Sequence, residues 1–204
     1  MRGRELAEFV RELGLGLWGM AAQKDAARLL MSIMLKKKDF IPGDVGEIPG
    51  SGGVRVYIGS IGAALSKPIL DRLGVTSVLC CAAGIIPPFP EAFEYKLIDV
   101  RDTPGHAVLL ASHFEECAAW MRTKREGNIL VHCFKGKSRS ATLCAAHLMI
   151  NCGMSLRLAL LHLRTARGGR SIEPNIGFML ELRKLDIRLH GADSMIAGIE
   201  QGPE

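Results

Sequence analysis

Long apolar runs, signal sequences and lipid-attachment motifs are all missing from this sequence, and each absence excludes a class of protein. No run of about 18 uninterrupted apolar residues occurs, so a membrane span is not expected. The amino terminus, MRGRELAEFVRELG, mixes Glu with Arg and has no apolar segment of signal-peptide length. The carboxyl terminus, IEQGPE, has no prenylation cysteine. We therefore expect a soluble protein with no sign of secretion.

Cysteine pairing patterns are missing as well. The six cysteines form no C-x-x-C pair and have no histidines at zinc spacing, and 204 residues are enough to fold without disulfides. We therefore expect reduced thiols, no metal and a cytoplasmic location. Five of the thiols have ordinary apolar neighbours, typical of buried structural cysteines: Cys80, Cys81, Cys117, Cys144 and Cys152. Cys133 is the exception.

The charge balance is mildly basic. Lys and Arg number 26 against 21 Asp and Glu, a net charge of +5, which favours acidic substrates or partners without requiring nucleic acid. With 48% hydrophobic residues, the chain allows one sizeable core. It implies no cofactor and no particular oligomeric state.

The composition changes near residue 50. Apolar residues at three- and four-residue spacing between residues 4 and 38 predict one or two helices. The Pro- and Gly-rich segment IPGDVGEIPGSGG, residues 41–53, predicts a linker or long loop. We therefore divide the chain into an amino-terminal helical extension with its linker (1–50), a folded domain (51–190) and a tail (191–204).

Strand-like and helix-like segments alternate after this boundary. Strands are predicted over 54–58, 76–80, 95–98 and 128–132, and helices over 62–73, 107–124, 138–152, 155–166 and 174–190, the last with Pro174 in its first turn. The run 128–132 is of the apolar type found in strands buried on both faces of a sheet. We predict an α/β fold: a central mixed, mostly parallel sheet flanked by helices.

The segment HCFKGKSRS, residues 132–140, lies between the fourth predicted strand and a helix that begins at Ser138. A helix amino terminus offers unpaired N–H groups and a positive dipole end, so the turn before it can bind phosphate. Gly136 lets the loop curl, and the Arg139 guanidinium matches two phosphate oxygens. We predict a phosphate-binding loop formed by Phe134, Lys135, Gly136, Lys137, Ser138 and Arg139.

Cys133 lies at the base of this loop, where the helix dipole and the guanidinium would stabilise a nucleophilic thiolate. Ser140 is predicted either to donate a hydrogen bond to that sulfur or to serve the backbone at the helix start. His132 is poorly placed to act as a base toward Cys133, because neighbours on a strand point to opposite faces. We expect His132 to fix the loop instead.

A nucleotide-binding loop is the rival interpretation, since Gly136-Lys137-Ser138 resembles the end of G-x-x-x-x-G-K-[ST]. That motif requires glycine at position 131, where this chain has Val131. It would also leave Cys133 without a role, so we reject it.

The pattern HCxxGxSRS resembles the signature of cysteine-dependent protein tyrosine phosphatases, and specifically of the atypical dual-specificity group. The stretches YIGSIGAAL (57–65), LGVTSVLCCAA (73–83) and IEPNIGFMLEL (172–182) are similar to that family's core in order and spacing. The resemblance implies a phosphatase-type loop between a buried strand and a helix. It also implies an enzyme that dephosphorylates phosphotyrosine and phosphoserine or phosphothreonine in proteins through a phosphocysteine.

The resemblance further implies a general acid, an Asp on a mobile loop upstream of the cysteine. YKLIDVRDTPGH contains Asp99 and Asp102, and the family places a tyrosine seven residues before the acid, as Tyr95 is before Asp102. We therefore assign Asp102 as the acid and expect Asp99 to be structural or to orient the substrate. Together with Cys133, Arg139 and Ser140, Asp102 completes the predicted catalytic set.

Other interpretations remain open at this point. Lys135 and Lys137 at the loop favour polyanionic substrates, unless both side chains simply point to water. A basic residue at the position of Lys137 is seen in relatives that dephosphorylate phosphoinositides or phosphatidylglycerophosphate, so the resemblance implies a phosphoinositide or other phospholipid phosphatase as the alternative. A pseudophosphatase, which binds phosphorylated partners without turnover, usually lacks the Cys, Arg or Asp that this chain keeps. Cys80 and Cys81 resemble the position of a resolving thiol in some relatives, so a redox partnership with Cys133 is a further hypothesis.

Overall fold

A five-stranded sheet forms the centre of the computed structural model, which describes residues 45–50 and 53–196. The strands are β1 (Val45–Ile48), β2 (Val56–Gly59), β3 (Val75–Cys80), β4 (Glu94–Leu97) and β5 (Asn128–His132). Their spatial order is β1-β2-β5-β3-β4, and β1 runs antiparallel to β2 while the other neighbours are parallel. The predicted α/β fold with a mixed, mostly parallel sheet is confirmed.

Helices cover both faces of the sheet. They are α1 (Ile61–Ala64), α2 (Lys67–Arg72), α3 (Ala107–Ala111), α4 (Phe114–Thr123), α5 (Arg139–Cys152), α6 (Leu156–Ala166) and α7 (Ile176–His190), with a 3-10 turn at Pro104–His106. The larger apolar cluster joins one sheet face to α3–α7, and the smaller joins the opposite face to α1 and α2. None of the helices described here is long and apolar enough to cross a bilayer.

Strand β5 is buried on both faces. Ile129 and Val131 belong to the larger cluster and Leu130 to the smaller one, as the alternation of side chains along a strand requires. It spans the residues predicted from its apolar pattern, because a central parallel strand needs apolar side chains on each face.

Two predicted helices are each divided in two. The segment 62–73 breaks before α2, where Ser66 takes the N-cap position and Pro68 lies in the first turn, a place that a proline without an N–H tolerates. The segment 107–124 breaks at Ser112, whose hydroxyl donates to the Leu109 carbonyl at 2.8 Å. Periodicity alone does not reveal such breaks, because the apolar spacing continues across them.

The prediction of a loop over 41–53 was wrong for Val45–Ile48, because these residues form β1 and pair with β2 at the edge of the sheet. Gly46 passes so close to α6 that an added Cβ would lie 2.5 Å from the Ala166 carbonyl oxygen. His147 Nε2 lies 2.9 Å from the Pro49 carbonyl oxygen, and burial lowers the pKa of this histidine. Glycine at position 46 therefore permits close packing of β1 against α6. The helices predicted over 4–38 lie outside the described residues.

The predicted tail was wrong for residues 191–196. Residues 191–196 pack onto the domain through Asp186, a fully buried carboxylate on α7 that accepts hydrogen bonds from Ser194 N and Ser194 Oγ at 2.8 and 2.5 Å. The same carboxylate accepts from Leu156 N at 3.0 Å, so it joins α7 to the start of α6. Residues 197–204 lie outside the described residues.

Asp186→Ala should lower the free energy of unfolding by about 3 kcal/mol, because buried N–H and O–H donors lose their charged acceptor. Urea titration at pH 7 measures the change. Asp71→Ala removes an exposed carboxylate paired with Lys67 and should cost less than about 1 kcal/mol. Equal costs for the two variants would contradict this role for Asp186.

Candidate active site

The loop after β5 emerges from the middle of the sheet. Gly59 of β2 and Cys80 of β3 both pair in register with His132, the last residue of β5. Cys133 therefore follows the point at which three parallel strands end together. The carboxyl edge of such a sheet is where open α/β folds place their ligand sites.

Close backbone contacts hold the loop in place. Ile61 N donates to the Phe134 carbonyl at 3.1 Å, which ties the loop to α1. Gly136 has φ of +72°, and an added Cβ would lie 2.7 Å from the Gly59 carbonyl oxygen. The buried Arg167 crosses beneath it and donates from Nη1 to the Ile58 carbonyl at 3.4 Å. Only glycine fits at position 136 without displacing the backbone.

The Cys133 sulfur lies at the bottom of the loop with only 1% of the residue exposed. It accepts a hydrogen bond from Gly136 N at 3.3 Å, and Ser140 Oγ lies 3.3 Å away. The structure thus places Ser140 Oγ beside the sulfur, where one of the two roles predicted for this hydroxyl requires it.

Arg139 is the first residue of α5 and is 9% exposed. Its Nη1 donates to the Val100 carbonyl at 2.9 Å, and its Nε lies 3.7 Å from Asp102 Oδ2. The carbonyl fixes the orientation of the guanidinium, so little rotamer freedom is lost when an anion binds.

Asp102 lies beside the loop and is held by two donors. Its Oδ1 accepts from Ser138 Oγ at 2.6 Å and from Asn175 Nδ2 at 2.9 Å. The structure therefore brings Asp102 to Arg139 and to the loop. Asp99 points elsewhere: it is exposed, and its Oδ1 accepts from Gly84 N at 3.2 Å.

Ser138 occupies the N-cap position of α5, yet its hydroxyl makes no cap hydrogen bond. The hydroxyl donates to Asp102 and accepts from Asn175 N at 3.2 Å. The first N–H groups of a helix have no intrahelical partner, so without a side-chain cap they can bind an anion at the loop. A phosphoryl group there would lie between the helix terminus, Arg139 and the Cys133 sulfur.

His132 is buried beneath the loop, with Nδ1 3.3 Å from the Cys133 carbonyl oxygen. Burial lowers its pKa to about 4, and the Arg139 charge acts in the same direction. The imidazole is therefore neutral at pH 7 and lies against the backbone of the loop.

The two loop lysines differ. Lys135 is exposed, whereas Lys137 Nζ binds Glu173 Oε2 at 2.6 Å. Glu173 N also donates to the Lys137 carbonyl at 2.8 Å, so the segment before α7 runs along the loop. The hydrogen bond from Lys137 lowers the pKa of the Glu173 carboxyl. One of the two added positive charges predicted at the rim is thus paired with a carboxylate.

Comparison with known proteins agrees with this geometry. The model of the dual specificity phosphatase catalytic domain matches residues 56–188. This chain belongs to the dual specificity phosphatase family. Dual specificity protein phosphatase 1 of Arabidopsis thaliana is 38% identical over 144 residues, which cover 70% of this chain and 71% of that protein. Dual specificity protein phosphatase 1B of the same plant is 35% identical over 138 residues, covering 67% and 80%.

Solved structures show the same likeness. The crystal structure of DUSP15 matches this phosphatase with a TM-score of 0.61 and 27% identity, covering 79% of this chain and all of that one, 100%. Human DUSP28 matches with a TM-score of 0.57 and 28% identity over 73% and 97% of the two chains. The protein is a cysteine-dependent dual specificity phosphatase, and phosphoproteins are its class of substrate.

The thiols beside the site of this phosphatase are neutral. Burial raises the pKa of Cys80 to about 12 and raises that of Cys81 well above its ordinary value. Cys81 Sγ donates to the His132 carbonyl at 3.1 Å. All six cysteines are unpaired. A redox partnership of Cys133 with either thiol stays a prediction.

Sequence reasoning missed Asn175, Glu173 and Arg167. Asn175 was placed inside a helix that began at Pro174, but it is the N-cap of α7 and accepts from Phe178 N at 3.1 Å. An Asn after proline and before an apolar helix is a recognisable cap signal. No local pattern marks Glu173 or Arg167, because their partners lie far away in the sequence.

The buried His132 should make this phosphatase less stable in acid. The pKa of His132 in the folded protein lies below the ordinary value of about 6.5. At a pH between these two values the unfolded chain binds a proton that the folded chain does not bind. The contribution of the neutral imidazole to stability is therefore fully present above about pH 6.5. The free energy of unfolding falls as the pH drops toward about 4, by up to about 1.4 kcal/mol per pH unit.

His132→Asn removes this titrating group. Between pH 6.5 and 4 the free energy of unfolding of the variant should therefore fall less steeply than that of the wild type, by up to about 1.4 kcal/mol per pH unit. Urea titrations at half-unit pH steps compare the variant with the wild type. Parallel curves for the two proteins would contradict a buried neutral imidazole.

Proposed function

We propose that Cys133 is the nucleophile of this phosphatase and carries the phosphocysteine through which it dephosphorylates phosphotyrosine and phosphoserine or phosphothreonine. The observation that carries this proposal is the convergence of Gly136 N and Ser140 Oγ on the Cys133 sulfur, beneath an uncapped helix terminus. A thiolate in that position faces the site where the helix would bind a phosphoryl group.

In the first step the Cys133 thiolate forms an S–P bond while the P–O ester bond breaks. The electron pair of that bond goes to the leaving oxygen, which takes the proton of the Asp102 carboxyl. Arg139 and the loop N–H groups, residues 134–139, stabilise the charge on the phosphoryl oxygens as the bonds exchange. The distance of 3.7 Å between Arg139 Nε and Asp102 Oδ2 supports roles for both groups at one phosphate.

In the second step water attacks phosphorus and gives its proton to the Asp102 carboxylate, while the S–P bond breaks. The electron pair returns to the Cys133 sulfur, where a hydrogen bond donated by Ser140 Oγ stabilises the departing thiolate. The separation of 3.3 Å between these atoms supports this role.

Protein substrates fit this rim better than phosphoinositides do. A polyphosphorylated headgroup would need several free cations, but Lys137 is paired with Glu173. The exposed Lys135 is the observation that favours the lipid alternative. Neither function requires nucleic acid.

A cytoplasmic location is part of the proposal. The nucleophile must be a reduced thiol, and the cytosol keeps thiols reduced. The unpaired state of all six cysteines is consistent with such a compartment.

Cys133→Ser should abolish phosphate release from phosphotyrosine and phosphothreonine peptides in buffer containing a chelator. Cys152→Ser, which changes a half-buried thiol at the far end of α5, is the control and should keep wild-type turnover. Normal turnover by Cys133→Ser would refute the assignment. Release from a phosphoinositide panel alone would move the substrate to the lipid alternative.

Ser140→Ala should slow the second step more than the first, because the thiolate leaves without its hydrogen bond. A rapid-mixing experiment with p-nitrophenyl phosphate should therefore show a burst of nitrophenol followed by a steady rate lower by about 10-fold, if the lost bond is worth about 1.4 kcal/mol. An unchanged steady rate would contradict the proposed contribution of Ser140.

A further inference from the structure

Two aliphatic side chains are unusually exposed on the helices that follow the active-site segments. Val108 on α3 is 72% exposed and Ile176 on α7 is 67% exposed, the two highest values for a large apolar residue in the part of the chain that the structure describes. Leu109 and Leu180 on the same helices are exposed as well. We call these four residues the apolar rim. Several exposed apolar side chains beside a cleft are typical of an interaction site.

The two helices that carry the apolar rim are in contact. An added Cβ on Gly177 of α7 would lie 3.0 Å from Ala107 Cβ on α3. Ile176 and Val108 are the chain neighbours of these two residues. Because consecutive Cα atoms are about 3.8 Å apart, the Cα atoms of Val108 and Ile176 are separated by no more than roughly 14 Å. A peptide segment of four or five residues is long enough to contact both.

Both helices begin beside the active site. Helix α3 directly follows the 3-10 turn that begins at Pro104, two residues after Asp102. The first turn of α7 lies against the same proline, since a Cβ on Gly177 would lie 2.8 Å from Pro104 Cα. The Cα–Cβ bonds of a helix tilt toward its amino terminus. The side chains of the apolar rim are therefore tilted toward the cleft, and the rim extends the substrate-binding face outward from Asp102.

The charges on α7 favour a protein segment over a lipid surface as the occupant of the apolar rim. Helices that bind anionic membranes place Lys and Arg beside their apolar face, where these cations attract lipid headgroups. The Lys and Arg side chains of α7 are instead each paired with a carboxylate: Arg183 with Asp193, Lys184 with Glu181 and Arg188 with Glu115. A phosphoprotein bound at the active site brings the neighbouring residues of its own chain to this surface.

We propose that the apolar rim determines specificity by binding an apolar side chain of the protein substrate, two to four residues from the phosphorylated residue. An extended chain advances about 3.4 Å per residue, so such a side chain lies roughly 7 to 14 Å away along the substrate. The inference rests on the proposed reaction at Cys133, because the bound phosphoryl group fixes where the rest of the substrate lies. The rim itself touches neither phosphorus nor the leaving oxygen.

Phosphotyrosine peptides that carry one leucine in an otherwise alanine and serine sequence test this specificity. The leucine is moved through each position from four residues before to four residues after the phosphotyrosine. At one or more positions two to four residues away, it should raise kcat/KM of the wild type by about 10-fold over the peptide without leucine, the effect of burying most of one aliphatic side chain. Equal kcat/KM for all the peptides would overturn the inference.

The double variant Val108→Ser/Ile176→Ser removes most of the apolar surface without adding charge. It should lose the leucine preference and keep kcat/KM for p-nitrophenyl phosphate within about 2-fold of the wild type, because this small substrate has no residues to reach the apolar rim. Leu158→Ser, at a side chain 56% exposed on α6, is the matched control and should keep the preference. A preference that survives in the double variant, or an equal loss on p-nitrophenyl phosphate, would contradict the role of the rim.

Other occupants of the apolar rim are distinguished with the same double variant. Sedimentation of the wild type, but not of the double variant, with phosphatidylcholine and phosphatidylserine vesicles would assign the rim to a membrane surface if no leucine preference is found. A dimer that the double variant abolishes would, in the same case, assign it to a second copy of the chain. Either result would overturn substrate docking. Failure of the proposed reaction looks different, because Cys133→Ser would then retain turnover of every peptide, with or without leucine.

Discussion

Strand β5 is hydrogen-bonded to a parallel neighbour on each side, and the placement of the active site depends on this constraint. The pairings Gly59–His132 and Cys80–His132 set where β5 ends. Because both faces of the strand are buried, its register cannot slip without exposing an apolar side chain or burying a polar one. Cys133, the first residue beyond the strand, is consequently fixed at the base of the loop.

The buried thiols near the loop after β5 have different surroundings. Burial raises the pKa of Cys80, Cys81 and Cys144, so desolvation disfavours the charged form of these three thiols. The Cys133 sulfur differs in its surroundings, because Gly136 N donates to it at 3.3 Å and Ser140 Oγ lies 3.3 Å away.

Helix α7 contacts both the carboxyl-terminal part of the domain and the candidate active site. Its carboxyl-terminal half carries Asp186, which holds α6 and the segment beyond residue 190, and its amino terminus holds Asp102 through Asn175. A helix packed along its length moves as a rigid unit. The position of the Asp102 carboxyl group is therefore set by the same packing that stabilises the domain.

The sequence by itself determined the α/β fold, the bounds of β5 and the position of the loop after it, because each depends on residues close together in the chain. Apolar alternation predicts a buried strand, and Cys133, Gly136 and Arg139 are spaced for one loop. The Tyr95 spacing likewise directed attention to Asp102 rather than Asp99, which the structure places on another partner.

Only the tertiary structure decided which groups converge from distant segments. Strand β1 forms within a Pro- and Gly-rich stretch because β2 offers an edge and α6 a surface for Gly46. Lys137 and Glu173 form a pair across the rim, and Asn175 reaches Asp102 across 73 positions of sequence. Local propensity cannot encode such contacts, since their free energy exists only once the sheet and helices have packed together.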